Sequence, residues 1–394
     1  MSKRLDWINS ELAALREAGL YNRIRTISSA QGAWLDVDGK RVLNLCSNNY
    51  LGLADHPHLK QRAAEALQRY GVGPAAVRSI AGTLDLHNQL EERLAAFKGV
   101  EAALSFQSGF TANLAVIACL VGNEDIIFSD ELNHASIIDG SRLSRARVVR
   151  YAHCDPADLE TKIRENQGGY RRALAITDGV FSMDGDMAKL PEICDLAEKY
   201  DALVMVDDSH ATGYIGKKGR GTPEHFGVQH RVDIVTSTLG KAMGGANGGF
   251  TSGRKEIIEV LRQRSRPYLF SNSVAPSVVG ASIKVIELLS ESSELRDKVW
   301  ENARYFRSEM IKAGFDIVEG NTAIVPVMLY DEPLAMKMAD MLLKEGIYVI
   351  GFVYPVVPKG KARIRVQLSA AHSREDLDKA VAAFVKVGKE LKLV

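Results

Sequence analysis

The chain has 394 residues, 46% of them apolar and 25% charged, the composition of a soluble globular protein long enough for two domains. Its 50 basic and 49 acidic side chains leave a formal net charge of +1, without the basic excess that a general nucleic-acid binder uses to neutralise phosphates. No apolar run approaches the roughly 20 residues that cross a bilayer, and no apolar leader opens the sequence. The four cysteines (Cys46, Cys119, Cys154, Cys194) form neither a disulfide framework nor a CxxC zinc pair, so a reduced, cytoplasmic protein without a structural metal is expected.

In chain order, Leu5, Ile8, Leu12, Leu15 and Leu20 recur at helical spacing and predict an amphipathic helix that packs on another surface. Residues 34–45 read as a hairpin with Asp38-Gly39 at its turn. Helical patterns over 58–70, 87–97, 108–121 and 191–200 then mix with short apolar runs over 102–106, 125–129, 148–151, 173–177, 202–206 and 232–236. That alternation predicts an α/β fold with a mainly parallel sheet covered on both faces. Near residue 280 the texture changes. One long helix is expected over 282–313, ended by Gly314, then strands over 323–329, 348–352 and 363–368, with helices over 333–345 and 373–391. The expected division is an N-terminal arm and hairpin (1–45), a large domain (46–285) and a small α+β domain (286–394).

Ligands in open α/β sheets lie beyond the carboxyl ends of the strands, and ionisable residues collect there. Asp207-Asp208-Ser209-His210 follows one apolar run, and Thr238-Leu239-Gly240-Lys241 with a glycine cluster at 244–249 follows another. Asp178 to Gly185 and Asp130 to His134 follow two more. Each has an ordinary explanation alone: an acid caps a helix, a loop lysine is solvated, a glycine cluster turns the chain. The cluster is neither a P-loop nor a dinucleotide fingerprint. Together, an acid, a histidine three residues on and a later lysine suit pyridoxal phosphate. Its aldehyde takes a lysine amine, its ring nitrogen takes a carboxylate, and its phosphate takes a helix start such as Ser108-Gly109-Phe110.

The motifs Ser47-Asn48-Asn49-Tyr50-Leu51-Gly52-Leu53, Asn133-His134-Ala135-Ser136, Val180-Phe181-Ser182-Met183-Asp184-Gly185-Asp186, Val206-Asp207-Asp208-Ser209-His210 and Ala362-Arg363-Ile364-Arg365 resemble those of the α-oxoamine synthases. These are fold-type-I pyridoxal-phosphate transferases, aspartate aminotransferase-like, that condense an amino acid with an acyl-CoA. The resemblance runs from Gly19-Leu20-Tyr21 to the last helix. Three stretches, 238–245, 262–273 and 351–360, point within the family to glycine and acetyl-CoA as substrates. There the reaction usually runs backward, as the second stage of threonine breakdown. Members that take L-alanine and pimeloyl-CoA, which usually carry Ser before the lysine, are the alternative. Ser108-Gly109-Phe110 departs from some acetyltransferases, which carry Cys there.

The resemblance also implies roles. Lys241 is the Schiff-base lysine and removes the α-proton. Asp207 pairs with the ring nitrogen, His210 contacts the ring hydroxyl and His134 stacks on the ring. Ser108, Gly109, Phe110, Thr238 and Ser182 line the cofactor pocket. Ser271 reaches the phosphate of the neighbouring subunit, which implies a homodimer with its site at the interface. Arg365 clamps the substrate carboxylate, a task suited to a bidentate guanidinium, with Asn48 beside it. No role maps onto Arg363, which is expected to be structural.

Overall fold

The computed structural model describes residues 3–17, 21 and 24–394. Helix α1 (Asp6–Glu17) forms where the apolar spacing predicts it but buries none of its side chains, and Trp7 stays exposed; Leu20 and Gly19 lie outside the described residues. Strands β1 (Trp34–Val37) and β2 (Lys40–Asn44) make the hairpin. Asp38 and Gly39 both have positive φ, +48° and +78°, which a two-residue hairpin turn requires. Helices α2 (Pro57–Tyr70) and α3 (Asp85–Lys98) follow, each closed by a glycine, Gly71 and Gly99.

The central sheet then builds up through alternating elements: β3 (Ala102–Phe106), α4 (Gly109–Leu120), β4 (Ile126–Asp130), α5 (Ala135–Ser144), β5 (Arg147–Tyr151), α6 (Pro156–Asn166), β6 (Ala173–Asp178), α7 (Leu190–Lys199), β7 (Ala202–Asp207), the single turn α8 (Thr222–His225), β8 (Ile234–Thr238) and β9 (Gly249–Gly253). Its order is β3-β9-β8-β7-β6-β4-β5. All of these strands run parallel except β9, which is antiparallel to both neighbours. Successive strand residues point to opposite faces, and the core divides accordingly. Phe128, Ala175 and Val204 pack toward α6 and α7, whereas Ile127, Leu174 and Met205 pack toward α4 and α5. Both faces are therefore dry, as a parallel sheet demands. Strand β9 was not expected, because its composition reads as a glycine turn. Gly249 is required there: a Cβ would come within 2.3 Å of the backbone of Ser108 and Gly109.

After α9 (Lys255–Arg264), α10 (Arg266–Phe270) and α11 (Pro276–Glu291), the chain continues in α12 (Glu294–Lys312). The single helix expected over 282–313 is thus two. Ser292 takes an extended conformation (φ −141°, ψ 147°), and its hydroxyl accepts the N–H of Glu294, a local side-chain turn that competes with helix continuation. Strand β10 (Ile324–Tyr330), α13 (Glu332–Lys344), β11 (Ile347–Tyr348), β12 (Gly351–Phe352), β13 (Ala362–Gln367) and α14 (Arg374–Glu390) complete the fold. The run expected as one strand over 348–352 divides between two sheets: β11 pairs with β2, and β12 pairs with β13 beside β10. Through β11, the N-terminal hairpin joins the C-terminal elements.

Candidate active site

Strands β6 and β7 end in register, with Asp178 paired to Asp207. The carboxylate of Asp207 is buried. Its Oδ2 accepts from Asn113 Nδ2 at 2.6 Å, and its Oδ1 accepts the N–H of Ser209 at 2.9 Å. Asn113 lies on α4, held by the Thr236 hydroxyl at 2.6 Å and by Ser136 at 2.8 Å. Asp208 points the other way. It pairs with the buried ammonium of Lys98 at 3.1 Å and accepts from the Thr222 hydroxyl at 2.6 Å. The adjacent acids therefore serve opposite sides of the sheet edge, and among the described residues Asp207 alone of the two lacks an ion-pair partner.

Asp207 faces a cavity of about 210 Å³ whose lining includes Ser108, Gly109, Phe110, His134, His210, Thr238 and Lys241, together with Ser136, Asp178 and Ser209. Burial lowers the Lys241 amine, against the opposing pull of Asp207 and Asp178, to a pKa of about 8. Burial also holds Asp178 well above the usual carboxylate range, and the neighbouring Asp207 charge adds to this. His210 is drawn well below its ordinary value by burial and by Lys241. The Tyr50 hydroxyl lies 2.7 Å from its Nδ1; burial raises the pKa of that hydroxyl and keeps its proton on. A neutral imidazole that accepts at Nδ1 carries its own proton on Nε2. His134 caps α5: its Nδ1 accepts the N–H of Ser136 at 3.2 Å, and Phe110 meets its ring edge-on at 6.3 Å.

At the other end of the cavity, Ser108 caps α4 by accepting the N–H of Thr111 at 3.0 Å, and the positive end of that helix faces inward. A Cβ on Gly109 would come within 3.1 Å of Thr238 and 3.3 Å of Ser209 Oγ, so the missing side chain leaves a small cup at a helix start. A cup for phosphate, a buried carboxylate without a cation, a half-activated amine and two imidazoles fit the parts of pyridoxal phosphate one for one.

Four expected residues lie outside this cavity. Arg365, on β13, donates from Nη1 to the Ser182 carbonyl at 3.0 Å and lies over the Phe352 ring. Its Nε is buried without a hydrogen-bond partner, as is Asn48 Oδ1. Ser182 thus anchors Arg365 through its backbone and borders a neighbouring cavity of about 410 Å³ between the 181–184 loop and β10. Ser271 follows α10 and does not line the cavity; its carbonyl lies 3.5 Å from Gln107 Nε2, next to Ser108. Arg363 pairs with Asp184 and donates to the Met183 carbonyl, in keeping with a structural part. Asn113, Tyr50, Asp178, Ser136 and Ser209 were given no role from sequence, although all but Asn113 stood in a quoted motif or at a strand end. The lone amide inside the apolar run 109–120 was a readable signal for Asn113.

Among the described residues, one group brings metal-ligand atoms together: Asp130, His153 and Cys154, within 4.8 Å of one another. Both ring nitrogens of His153 are already engaged by carboxylates, Asp130 at 3.0 Å and Asp186 at 2.8 Å.

Residues 40–384 match the family model of class I and II aminotransferases. The chain is 55% identical to the 2-amino-3-ketobutyrate coenzyme A ligase of Escherichia coli K12, over 98% of both chains. It is also 55% identical to the 8-amino-7-oxononanoate synthase of Thermosipho melanesiensis, again over 98% of both. Among solved structures, a serine palmitoyltransferase from S. paucimobilis with bound PLP–myriocin aldimine superposes with a TM-score of 0.94, at 30% identity and over 99% of both chains.

Proposed function

Since the chain belongs to the class I and II aminotransferases, as a pyridoxal-phosphate-dependent α-oxoamine synthase, we propose that it joins glycine to acetyl-CoA, releasing 2-amino-3-oxobutanoate and CoA, the glycine C-acetyltransferase reaction. The observation that carries a pyridoxal-phosphate enzyme is the constellation of Lys241, Asp207, His210 and His134 around one cavity at the helix start; the acyl-CoA condensation is supported by the 55% identity to a 2-amino-3-ketobutyrate coenzyme A ligase. Glycine is the reading the resemblance supports at the residue before Lys241: Gly240 stands where the 8-amino-7-oxononanoate synthases usually carry Ser, and a Cβ there would lie 2.6 Å from the Ala246 carbonyl.

When bound, pyridoxal phosphate supplies an aldehyde that joins the amino group and a ring that accepts the electron pair left by the departing α-proton. Asp207 would hold the proton at the ring nitrogen, with Asn113 and Ser209 fixing both carboxylate oxygens. His210 would contact the ring hydroxyl and His134 one face of the ring. The start of α4, with Ser108, Gly109, Phe110 and Thr238, would hold the phosphate. Lys241 Nζ takes the α-proton of glycine; a pKa near 8 suits a base working close to neutral pH. Arg365 takes the glycine carboxylate. With Nη1 on Ser182, its Nε and Nη2 present two parallel N–H groups, a bidentate fork, and Asn48 stands beside it.

The protein works as a homodimer in this reading. Ser271 does not line the cavity, Ile80 and Phe270 are exposed apolar side chains, and α1 buries none of its own, which support this reading. In the cell the reaction runs toward glycine, in threonine breakdown. No described helix is long and apolar enough to cross a membrane. A second reading, L-alanine with pimeloyl-CoA, is favoured by the Thermosipho relative. A CoA-release assay that crosses glycine and L-alanine with acetyl- and pimeloyl-CoA separates the two. The fastest turnover is expected with glycine and acetyl-CoA; faster turnover with alanine and pimeloyl-CoA would overturn the assignment.

A further inference from the structure

His153 lies outside the cavity, at the turn after β5, and no step above uses it. Its ring bridges two carboxylates on different segments. Nδ1 lies 3.0 Å from Asp130 at the end of β4, and Nε2 lies 2.8 Å from Asp186 in the loop after β6. A single imidazole can donate at both nitrogens only as the imidazolium. Burial opposes that charge, but the bonds to Asp130 and Asp186 prevail and push the pKa up to about 12. The turn that carries the ring is itself held in an unfavourable conformation: Cys154 has φ +51°, with its N–H on Asp130 at 2.9 Å and its thiol on Asp186 at 3.5 Å. Such backbone persists where its surroundings over-determine it.

What His153 grips is the segment that anchors Arg365. The loop closes on itself through the Phe181 N–H to the Asp186 carbonyl at 3.0 Å and the Gly185 N–H to the Phe181 carbonyl at 2.8 Å. The His153 ring meets Phe181 edge-on at 4.4 Å, and the next carbonyl, that of Ser182, receives Arg365 Nη1. The other Asp186 oxygen is buried without a partner, so His153 and Cys154 supply its side-chain compensation.

We propose that His153 is a positioning residue: as a clamp between Asp130 and Asp186 it sets the Ser182 carbonyl under Arg365, and so aims the Nε–Nη2 edge of that guanidinium at the substrate carboxylate. The proposal rests on the reading of Arg365 as the carboxylate site.

The test uses cofactor-loaded holoenzyme titrated with glycine, and in parallel L-alanine, by its visible spectrum without acyl-CoA. His153→Gln and Asp186→Asn should each weaken amino-acid binding about tenfold, with cofactor affinity unchanged and the KM for acyl-CoA moved less than twofold. Asp186→Asn keeps the shape and serves if His153→Gln fails to fold. A purely structural part would lower the melting temperature but leave the affinity of the folded holoenzyme intact, and that result overturns the proposal. So does equal loss of cofactor affinity, or a stoichiometric metal retained with His153. Arg365→Gln separates the two layers. If it leaves amino-acid affinity unchanged, the carboxylate reading fails. If it weakens binding while both clamp variants do not, only the clamp fails. A double variant, His153→Gln with Arg365→Gln, should be no weaker than Arg365→Gln alone.

Discussion

Replacing each of the two neighbouring aspartates at the end of β7 by asparagine should separate chemistry from stability. Asp208 has no exposed side-chain surface, and its partner Lys98 is 2% exposed. Asp208→Asn leaves that ammonium buried beside a neutral amide, and breaking a buried pair from one side costs about 3–5 kcal/mol. Turnover per folded, cofactor-loaded molecule should stay within several-fold of the parent. Asp207→Asn removes no ion pair within the protein, only the one with the protonated ring nitrogen of the bound cofactor. It disturbs hydrogen bonds to Asn113 and Ser209, worth about 1–2 kcal/mol, so the fold should survive. It also removes the charge that keeps the ring nitrogen protonated, and turnover should fall about a thousandfold, roughly 4 kcal/mol in the barrier. The assay is urea unfolding of each holoenzyme, paired with initial rates at saturating substrates. A thousandfold loss in Asp208→Asn at parental stability, or near-normal rates in Asp207→Asn, would refute the assignment of the two carboxylates.

Lys241→Ala should abolish turnover and the visible band of the lysine-linked cofactor while leaving the circular dichroism of the protein intact; residual parental activity would remove Lys241 from the mechanism. Recapture of pyridoxal phosphate by apoprotein should speed up as pH rises toward about 8 and level off above it, because the neutral Lys241 amine is the attacking form and its pKa lies near 8; a rate that keeps rising to pH 10.5 would mean an unperturbed lysine. Gly109→Ala should weaken cofactor binding roughly tenfold, since its Cβ meets Thr238 at 3.1 Å, about 1.4 kcal/mol on the affinity scale. Unchanged affinity in a cofactor titration would show that the phosphate sits elsewhere.

The alternation of apolar runs and helical patterns carried the central sheet, because burial on both faces leaves a strong, continuous apolar signature. It did not carry β9, where glycines serve a close backbone approach and erase the strand composition. Nor did it carry the break at Ser292, which turns on one side-chain hydrogen bond. In the site, residues at strand ends such as Asp207, His210 and Lys241 were legible by position. Tyr50 and Asn113 act through partners distant in sequence, and no local pattern announces such contacts. Ser182 was expected to line the cofactor pocket, yet it borders the neighbouring cavity and its backbone carbonyl holds Arg365.

The reversed strand β9 has a kinetic consequence. Phe106 at the end of β3 pairs with Gly249, over 140 residues later, so the sheet edge that carries α4 closes only after the chain through β9 has been made. Long-range pairings of this kind form slowly, because the intervening chain must first be ordered. Before that closure, Asp207, His210 and Lys241 can already stand on assembled parallel strands, yet the phosphate cup of α4 has no wall. Cofactor capture during refolding should therefore coincide with the last strand's arrival, so the yellow colour of the enzyme would time the completion of its sheet.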